Sequence, residues 1–215
     1  MSNRFFEIKA GNFVASEKNK VNNVNLKIEK KGEIVSLLGP SGVGKTTILR
    51  TIAGLQKLSA GEIYLKDKLI SSNEVHVEPE KRNIALSFQD NSLFPNYKVI
   101  DNINFGKKRS NGNGFSYEAE DIIKLLHIEP ILEKFPHQIS AGEAQRVSLA
   151  RSLMSKPDLL LLDEPFSNID QSLKEEIQVS VKKLLKRINL TTIIVTHDSY
   201  AVSYTHLTLP TINWV

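Results

Sequence analysis

Gly39-Pro-Ser-Gly-Val-Gly-Lys-Thr46 is the stretch of this 215-residue sequence that decides the fold. It matches the phosphate-binding loop (P-loop) pattern completely, follows the apolar run Ile34–Leu38 and opens a segment with helical apolar spacing. Glycines let backbone N–H groups turn inward around phosphate oxygens, and the start of a helix adds positive potential. We therefore expect Lys45 to bind the β and γ phosphates of a nucleotide and the Thr46 hydroxyl to bind Mg²⁺. The predicted phosphate site comprises Gly39, Pro40, Ser41, Gly42, Val43, Gly44, Lys45, Thr46 and Thr47.

A second pattern, Leu159-Leu-Leu-Leu-Asp163, puts an acidic residue where a buried strand ends. Alone, it is equally consistent with a strand that simply leaves the core. Beside a phosphate-binding loop, it predicts that Asp163 holds Mg²⁺ and that the adjacent Glu164 activates an attacking water. His197 follows the predicted strand 191–196. Because open α/β sheets bind ligands at the carboxyl ends of their strands, we expect His197 to contact the γ-phosphate region.

The order of apolar patterns predicts an α/β fold. The unbroken apolar runs 159–162 and 192–195 flank an amphipathic segment at 173–188, which is the strand-helix-strand alternation of a parallel sheet. The middle differs, because residues 117–126 and 144–154 have helical spacing. We predict a nucleotide-binding α/β core of residues 1–89 and 158–201, with a helical subdomain of residues 90–157 inserted into it.

Composition excludes several classes of protein. Apolar residues at 40% and charged residues at 24% are globular values. The absence of cysteine excludes disulfides, thiolate metal sites and cysteine nucleophiles. A net charge of +4 favours a surface of mixed sign over a nucleic-acid groove, so no nucleic-acid partner is predicted. The apolar runs are too short to cross a bilayer.

The last stretch of the sequence is anomalous. Residues 199–215 contain no Lys, Arg, Asp or Glu, although 24% of the chain is charged. One interpretation is a buried terminal strand. The other is that residues 202–211, Val-Ser-Tyr-Thr-His-Leu-Thr-Leu-Pro-Thr, resemble a translated sequencing adapter. We favour the second, set residues 202–215 aside as a non-native tail, and expect the natural chain to be longer.

An ordered set of motifs resembles the ATP-binding subunit of an ABC transporter over nearly all of residues 1–201. The P-loop is followed by motifs similar to the family's Q-loop, signature motif, Walker B motif, D-loop and switch histidine. In that order they are Ser87-Phe-Gln-Asp90, Ile139-Ser-Ala-Gly-Glu-Ala-Gln-Arg146, Leu159–Pro165, Ser167-Asn-Ile-Asp170 and Thr196-His197-Asp198. The resemblance implies a P-loop NTPase (RecA-like) α/β core with an antiparallel β portion and an inserted helical subdomain, here C-terminally truncated.

The resemblance also implies a mechanism with ATP and Mg²⁺. Two ATPase subunits, identical or paired, would bind ATP between the P-loop of one and the signature motif of the other. Gln89 would sense Mg²⁺ and the attacking water, and also serve as a metal ligand; His197 would sense the γ-phosphate. The residues Ser140, Gly142 and Glu143 would bind ATP across the dimer, Asp170 would link the two sites, and Glu164 would be the base.

The signature motif departs from the family's usual Leu-Ser-Gly-Gly-Gln. Ala141 adds a methyl group where the backbone approaches phosphate, which fits only if its φ is negative. Glu143 adds a negative charge beside an anion. An aromatic ring usually stacks on adenine before the P-loop; Phe13 is our candidate, with Phe5 and Phe6 as competitors, and any of them could instead be core.

Further residues resemble one importer branch of the family, which handles ferric iron, polyamines, sulfate and some sugars. They are Pro79-Glu-Lys-Arg82, Ser92-Leu-Phe-Pro95 and Asn102-Ile-Asn-Phe-Gly106. We expect ferric iron as the cargo, with polyamine, sulfate or thiamine-type cargo as alternatives. The implied partners are integral membrane permease subunits and, indirectly, a periplasmic or extracellular solute-binding protein, with the ATPase peripheral on the cytoplasmic face of the cell membrane.

Phe94, Pro95 and Tyr97 either line the groove that receives the permease or simply pack within the helical subdomain. Two other classes compete with an importer ATPase. One is an ABC-type ATPase that transports nothing, and the other is a P-loop kinase or GTPase. The absence of a coiled coil, a second cassette and an Asn-Lys-x-Asp element disfavours them.

Overall fold

A computed structural model describes residues 4–14, 20–40, 42–88, 92–108 and 118–196, together with the backbone of residues 205–208. In chain order the strands are β1 (Phe6–Val14), β2 (Lys20–Ile28), β3 (Ile34–Leu38), β4 (Ala60–Leu65), β5 (Lys68–Ser71), β6 (Ile84–Ser87), β7 (Leu159–Asp163), β8 (Thr191–Val195) and β9 (Thr205–Thr208). The α-helices are α1 (Lys45–Ala53), α2 (Val99–Lys108), α3 (Ala119–Leu125), α4 (Ala141–Met154) and α5 (Gln171–Arg187).

The first sheet is antiparallel, with the strand order β2-β1-β4-β5. In β2 the side chains of Val24, Leu26 and Ile28 are buried, while the polar residues between them are exposed. One face of β2 is therefore buried and the other is exposed, since alternate side chains of a strand lie on opposite faces.

The second sheet is parallel, with the strand order β6-β7-β8-β3-β9. Strands β7 and β8 are buried at every position, as their unbroken apolar sequences predict for strands covered on both faces. An α/β fold with one parallel and one antiparallel sheet confirms the predicted fold class. Because β3 and β7 run in the same direction, the loops that follow them lie at the same edge of the sheet.

Alternate residues of the central strands enter two different cores. Leu159 and Leu161 of β7 face a cluster that includes Phe6 and Ile8 of β1 and Ile48 of α1. Leu160 and Leu162 face the other cluster, built from α2 to α5. The antiparallel sheet and α1 therefore cover one face of the parallel sheet, and the remaining helices cover the other.

The α-helices α2, α3 and α4 lie between β6 and β7 in the chain. Both segments predicted as helical in this region are helices, and α4 begins three residues before the predicted 144 because Ser140 caps it. Whether residues 90–157 behave as a separate subdomain stays a prediction. Among the described residues, no helix has the length and apolarity needed to cross a bilayer.

Residues 205–208 form a strand, although we had set the segment 202–215 aside. Strand β9 pairs in parallel with β3, with Val35 opposite Thr205 and Leu38 opposite Thr208. An open edge of a sheet offers unpaired N–H and C=O groups to any extended segment, so pairing does not require a native sequence. The interpretation of 202–215 as non-native stays a prediction, and its other residues lie outside the described ranges.

Candidate active site

The loop between β3 and α1 has the backbone conformation of a phosphate cradle. Gly42 and Gly44 have φ values of +79° and +100°, which strongly favour glycine. A Cβ atom at Gly44 would also lie 2.6 Å from Cγ2 of Val21. Helix α1 then begins at Lys45, so the positive end of the helix adjoins the loop. Ser41, a predicted member of this site, lies outside the described residues.

The Lys45 side chain folds back over this loop. Its ammonium donates hydrogen bonds to the carbonyl oxygens of Gly39 at 2.7 Å and Pro40 at 2.9 Å. Lys45 is only 5% exposed, and this burial lowers its pKa, while the carboxylates of Glu164 and Asp163 raise it. The lysine is therefore held within the cradle, where it can exchange carbonyl partners for phosphate oxygens.

A hydroxyl and a carboxylate meet beside the lysine. The Thr46 hydroxyl donates a 2.7 Å hydrogen bond to Oδ2 of Asp163. Asp163 is 4% exposed; burial raises the pKa of its carboxyl group, and the Thr46 hydrogen bond opposes that shift. Hard oxygen donors of this kind suit Mg²⁺, which keeps several waters and substrate phosphates as its other ligands. Within the described ranges, no group of three or more His, Cys, Asp or Glu side chains could hold a metal ion.

Glu164 lies immediately after Asp163 at the same sheet edge. Its φ of +47° lies in the left-handed region, which is uncommon for a residue with a side chain. Its N–H donates to the carbonyl of Val195 in β8 at 2.9 Å, and its own carbonyl accepts from the N–H of Ser167 at 3.2 Å. Strained backbone of this kind is common at functional sites. Glu164 is half-buried, and its carboxylate is near enough to the Lys45 ammonium to raise the pKa of that lysine.

The signature segment forms the start of α4. Ser140 is the N-cap: its hydroxyl accepts from the Glu143 N–H at 3.2 Å, and the Glu143 carboxylate accepts from the Ser140 N–H at 2.7 Å. That backbone hydrogen bond lowers the pKa of Glu143. Both side chains that were predicted to bind ATP across a dimer thus cap their own helix. Ala141 is the first residue of α4 and has a negative φ, as its methyl group requires.

Gly142 brings this segment close to the turn after Glu164, and Asp170 begins the helix that follows that turn. A Cβ atom at Gly142 would lie 2.5 Å from the carbonyl oxygen of Asn168, so only glycine permits this approach. Asp170 is the N-cap of α5, and its backbone carbonyl, rather than its side chain, accepts from Leu173 and Lys174. Gln89 and His197, our other predicted catalytic residues, lie outside the described residues.

The prediction that Phe13 stacks on adenine is wrong for this structure. Phe13 is 0% exposed and lies in the core cluster with Val21, and its competitors Phe5 and Phe6 are buried in the same cluster. A ring without exposed surface cannot stack on a base. A bulge near Gly11 turns Phe13 inward.

A groove of about 350 Å³ lies away from the phosphate loop, between α1, β6, α2 and α4. Phe94 and Phe105 line it with ring centroids 4.6 Å apart, and the Arg151 guanidinium lies 5.3 Å from the Phe94 ring. Of the three residues predicted either to receive the permease or to pack within the helical subdomain, Phe94 lines this groove, whereas Pro95 and Tyr97 are exposed and are not among its lining residues.

Two buried polar residues that join separate elements were not predicted from the sequence. Arg82 donates to the carbonyls of Thr51 and Ile52 at the end of α1, and Gln145 joins α4 to Glu164. A signal for Gln145 was present, because it shares the helical spacing of the buried residues Leu149 and Ser152.

A family model and several known proteins match most of the chain. The family model described as ABC transporter matches residues 21–167. The chain is 42% identical over 181 residues to the glucose import ATP-binding protein GlcV of Saccharolobus solfataricus, which covers 83% of this chain and 51% of that protein. It is 41% identical over 180 residues to the Fe(3+) ions import ATP-binding protein FbpC of Fusobacterium nucleatum subsp. nucleatum. That match covers 83% of this chain and 47% of that protein. The chain thus spans about half the length of the curated relatives it matches.

Solved structures share the same architecture. A dimeric structure of a post-hydrolysis state of the ATP-binding cassette MJ0796, bound to ADP and Pi, has a TM-score of 0.81 and 29% sequence identity. The match covers 95% of this chain and 94% of that one. A further dimeric structure of MJ0796, a bacterial ABC transporter cassette, has a TM-score of 0.80 and 28% identity, with 97% of each chain covered.

Proposed function

Because this chain belongs to the ABC transporter family, we propose that it hydrolyses ATP with Mg²⁺ as the ATP-binding subunit of an importer. The observation that carries the proposal is the convergence of Lys45, Thr46 and Asp163 at one edge of the parallel sheet. This arrangement suits a nucleoside triphosphate with its magnesium ion, because it places a buried ammonium over a glycine-rich loop, beside a paired hydroxyl and carboxylate.

The residues would divide the reaction as follows. Lys45 exchanges its two loop carbonyls for phosphate oxygens of ATP, and the α1 N-terminus orients the same phosphates. Bound Mg²⁺ would neutralise charge on the β and γ phosphates, held by Thr46 and by Asp163, directly or through water. Glu164 accepts a proton from the attacking water, whose oxygen bonds to the γ-phosphorus as the bond to ADP breaks.

We also propose that two subunits act together, with the start of α4 from one subunit facing the ATP of the other. The dimeric MJ0796 structures support this arrangement, since the fold matches along almost the whole chain. Ser140 and Gly142 would meet the γ-phosphate across the dimer, while the Glu143 carboxylate stays on its own helix cap. Gln89 and His197 keep the roles that the sequence motifs imply: Gln89 would sense Mg²⁺ and the attacking water, and His197 would sense the γ-phosphate.

The groove lined by Phe94, Phe105 and Arg151 is proposed to receive the permease. It combines aromatic surface with a cation, and it contains Phe88, which precedes the Q-loop glutamine. Docking there would attach the chain peripherally to the cytoplasmic face of the membrane and connect permease movement to the nucleotide site. The solute-binding protein would act through the permease.

Ferric iron remains our proposed cargo. A ferric-iron import protein from Fusobacterium nucleatum supports it, while the glucose import protein from Saccharolobus solfataricus supports a sugar at similar identity. Affinity capture of the tagged chain from solubilised host membranes, followed by reconstitution with the captured permease, would distinguish them. Uptake of radiolabelled ferric iron supports the proposal, and uptake of radiolabelled glucose alone contradicts it. Phe94→Asp should prevent capture of the permease, whereas Val179→Asp, on the exposed face of α5, should not.

The ATPase proposal is tested by phosphate release from ATP, with Mg²⁺ or with a chelator. We expect hydrolysis that needs Mg²⁺, and Lys45→Ala should weaken nucleotide binding about a hundredfold because a buried charged hydrogen-bond donor is removed. Lys57→Ala, an exposed lysine beyond α1, is the matched control and should bind normally. Nucleotide binding by Lys45→Ala at the normal affinity would contradict the assigned site.

A further inference from the structure

Gln145 is a polar side chain buried in α4. It is 1% exposed and lies one turn before Leu149, on the face of the helix that packs into the protein. A buried amide is unfavourable unless its donors and its acceptor find partners. The partners of Gln145 therefore indicate why a polar residue occupies this position.

All the partners of Gln145 lie in the turn that follows β7. Its Nε2 donates to the carbonyl oxygen of Glu164 at 2.8 Å and to the Ser167 hydroxyl at 3.1 Å. Its Oε1 accepts from the N–H of Asn168 at 3.0 Å. One side chain thus binds both ends of the turn 164–168, which lies 19 to 23 positions away in the sequence.

The turn needs such support because its first residue is strained. Glu164 has a φ of +47°, and backbone of this kind persists only where surrounding contacts determine it. The bond from Gln145 to the Glu164 carbonyl fixes the peptide plane that follows the Glu164 Cα atom. The Ser167 hydroxyl and N–H donate to the same carbonyl, so three donors converge on it.

The same turn also touches the start of α4. Gly142 approaches the Asn168 carbonyl so closely that a Cβ atom would lie 2.5 Å from it. Gly142 and Gln145 are one turn apart on α4; Gly142 lies close to the Asn168 carbonyl, and Gln145 accepts from the Asn168 N–H. The helix start at Ser140 and the turn that carries Glu164 are therefore joined within one subunit.

We propose that Gln145 is a positioning residue that fixes Glu164 for proton transfer and makes the helix start at Ser140 move together with the turn 164–168. The inference rests on the proposed function, because it assigns the support of the base in that reaction. A movement of Ser140, which would contact the ATP bound by the other subunit, is then transmitted through Gln145 to the base of its own subunit.

The test uses Gln145→Met, which keeps the length of the side chain and removes its hydrogen bonds. Gln145→Glu is the second variant; it keeps the acceptor for Asn168 but loses the donor to Glu164, and it also serves if the first variant does not fold. Thr192→Val is the control, since it removes a buried hydroxyl bond in β8 outside the site. Two quantities are measured: backbone hydrogen exchange in 164–168, and kcat, KM and nucleotide affinity.

We expect Gln145→Met to speed exchange in 164–168 about tenfold, because the Asn168 N–H loses its acceptor. We also expect kcat to fall about tenfold while KM and nucleotide affinity stay within about twofold, since the base and not the binding site is displaced. Gln145→Glu should lower kcat as well, and Thr192→Val should change neither exchange in the turn nor kcat.

Each contrary result has a distinct meaning. Unchanged exchange in 164–168 would overturn the positioning role, whatever the activity. Faster exchange with a normal kcat would also overturn it, because Gln145 would then only stabilise the fold. An inactive wild-type chain that shows the expected exchange would instead contradict the proposed function, and with it the assignment of Glu164 as the supported base.

Discussion

The Thr46 hydroxyl donates a 2.7 Å hydrogen bond to Asp163, although 117 positions separate the two residues in the chain. Thr46 lies at the start of α1, after β3, and Asp163 ends β7, with β8 between those two strands. The bond therefore connects loops on both sides of a central strand. It brings together the two oxygens that we propose as Mg²⁺ ligands, so binding of the ion would require little reorganisation of these side chains.

Removing the hydroxyl should therefore weaken the response to magnesium. Thr46→Val keeps the shape of the side chain, and we expect the Mg²⁺ concentration for half-maximal hydrolysis to rise about tenfold or more. The measurement is a magnesium titration of ATP hydrolysis. Thr51→Val, which removes a buried hydroxyl from the same helix, is the control and should leave the titration unchanged. An unchanged titration for Thr46→Val would exclude the hydroxyl as a metal ligand.

Replacing Glu164, the proposed base, should separate nucleotide binding from turnover. Glu164→Gln removes the proton acceptor but keeps the backbone contacts of the turn, so we expect kcat to fall about a hundredfold or more with nucleotide affinity retained. An ATP-dependent dimer should then persist, as measured by size-exclusion chromatography with light scattering. Glu176→Gln, an exposed glutamate of α5, should hydrolyse ATP normally. Hydrolysis at the normal rate by Glu164→Gln would refute the assignment of the base.

The fold was predictable from sequence where local patterns are strong. The apolar runs of β3, β7 and β8 and the amphipathic period of α5 identified these elements correctly, because buried parallel strands and half-buried helices impose those patterns. The phosphate loop was equally clear, since its glycines are required by backbone conformation rather than by distant partners.

Phe13 shows where local patterns fail. Phe6 and Ile8 of β1 face the core, but beyond the irregular pairing near Gly11 it is Gly11 and Phe13 that do so. An extra residue in a strand reverses which positions face inward, and no feature of the sequence alone located it. Gln145 was missed for a different reason: its partners lie in another element, and only the folded chain brings them together.

The Glu143 cap predicts a pH-dependent stability. Its folded-state pKa lies below the ordinary 4.5, chiefly because its carboxylate accepts the Ser140 N–H, with Lys134 and Arg146 as the nearby cations. A carboxyl group whose pKa is lower in the folded state stabilises the fold fully when the pH is above its unfolded-state pKa. This stabilisation is lost as the pH falls through its folded-state pKa. Glu143→Gln should therefore melt below the wild type at neutral pH, with a difference that disappears in acid.

The melting temperatures of the wild type and of Glu143→Gln, measured from neutral pH into acid, test this prediction. Glu175→Gln, an exposed glutamate of α5, is the control and should show no comparable effect. A difference between wild type and Glu143→Gln that stays constant into acid would show that the charge of the cap contributes nothing.

We expect substitution of Arg82, which lies outside the proposed nucleotide site, to destabilise the fold strongly. It is 2% exposed, and its guanidinium donates to the carbonyls of Thr51 and Ile52, to the carbonyl of Val77 and to the Ser71 hydroxyl. Burial lowers its pKa to about 10, so it stays charged at neutral pH. The planar fork thus joins the end of α1 to the antiparallel sheet, and an ammonium group cannot reproduce that geometry.

We expect Arg82→Ala to lower the free energy of unfolding by about 3 kcal/mol or more, since it removes several charged hydrogen bonds and leaves buried acceptors unpaired. Arg82→Lys should recover only part of this, and Ser71→Ala, which removes one partner, should cost about 1 kcal/mol. Urea denaturation measures all three, with the exposed Arg187→Ala as a control expected within about 0.5 kcal/mol of the wild type. Full stability of Arg82→Lys would contradict the argument, because one point charge would then replace the whole fork.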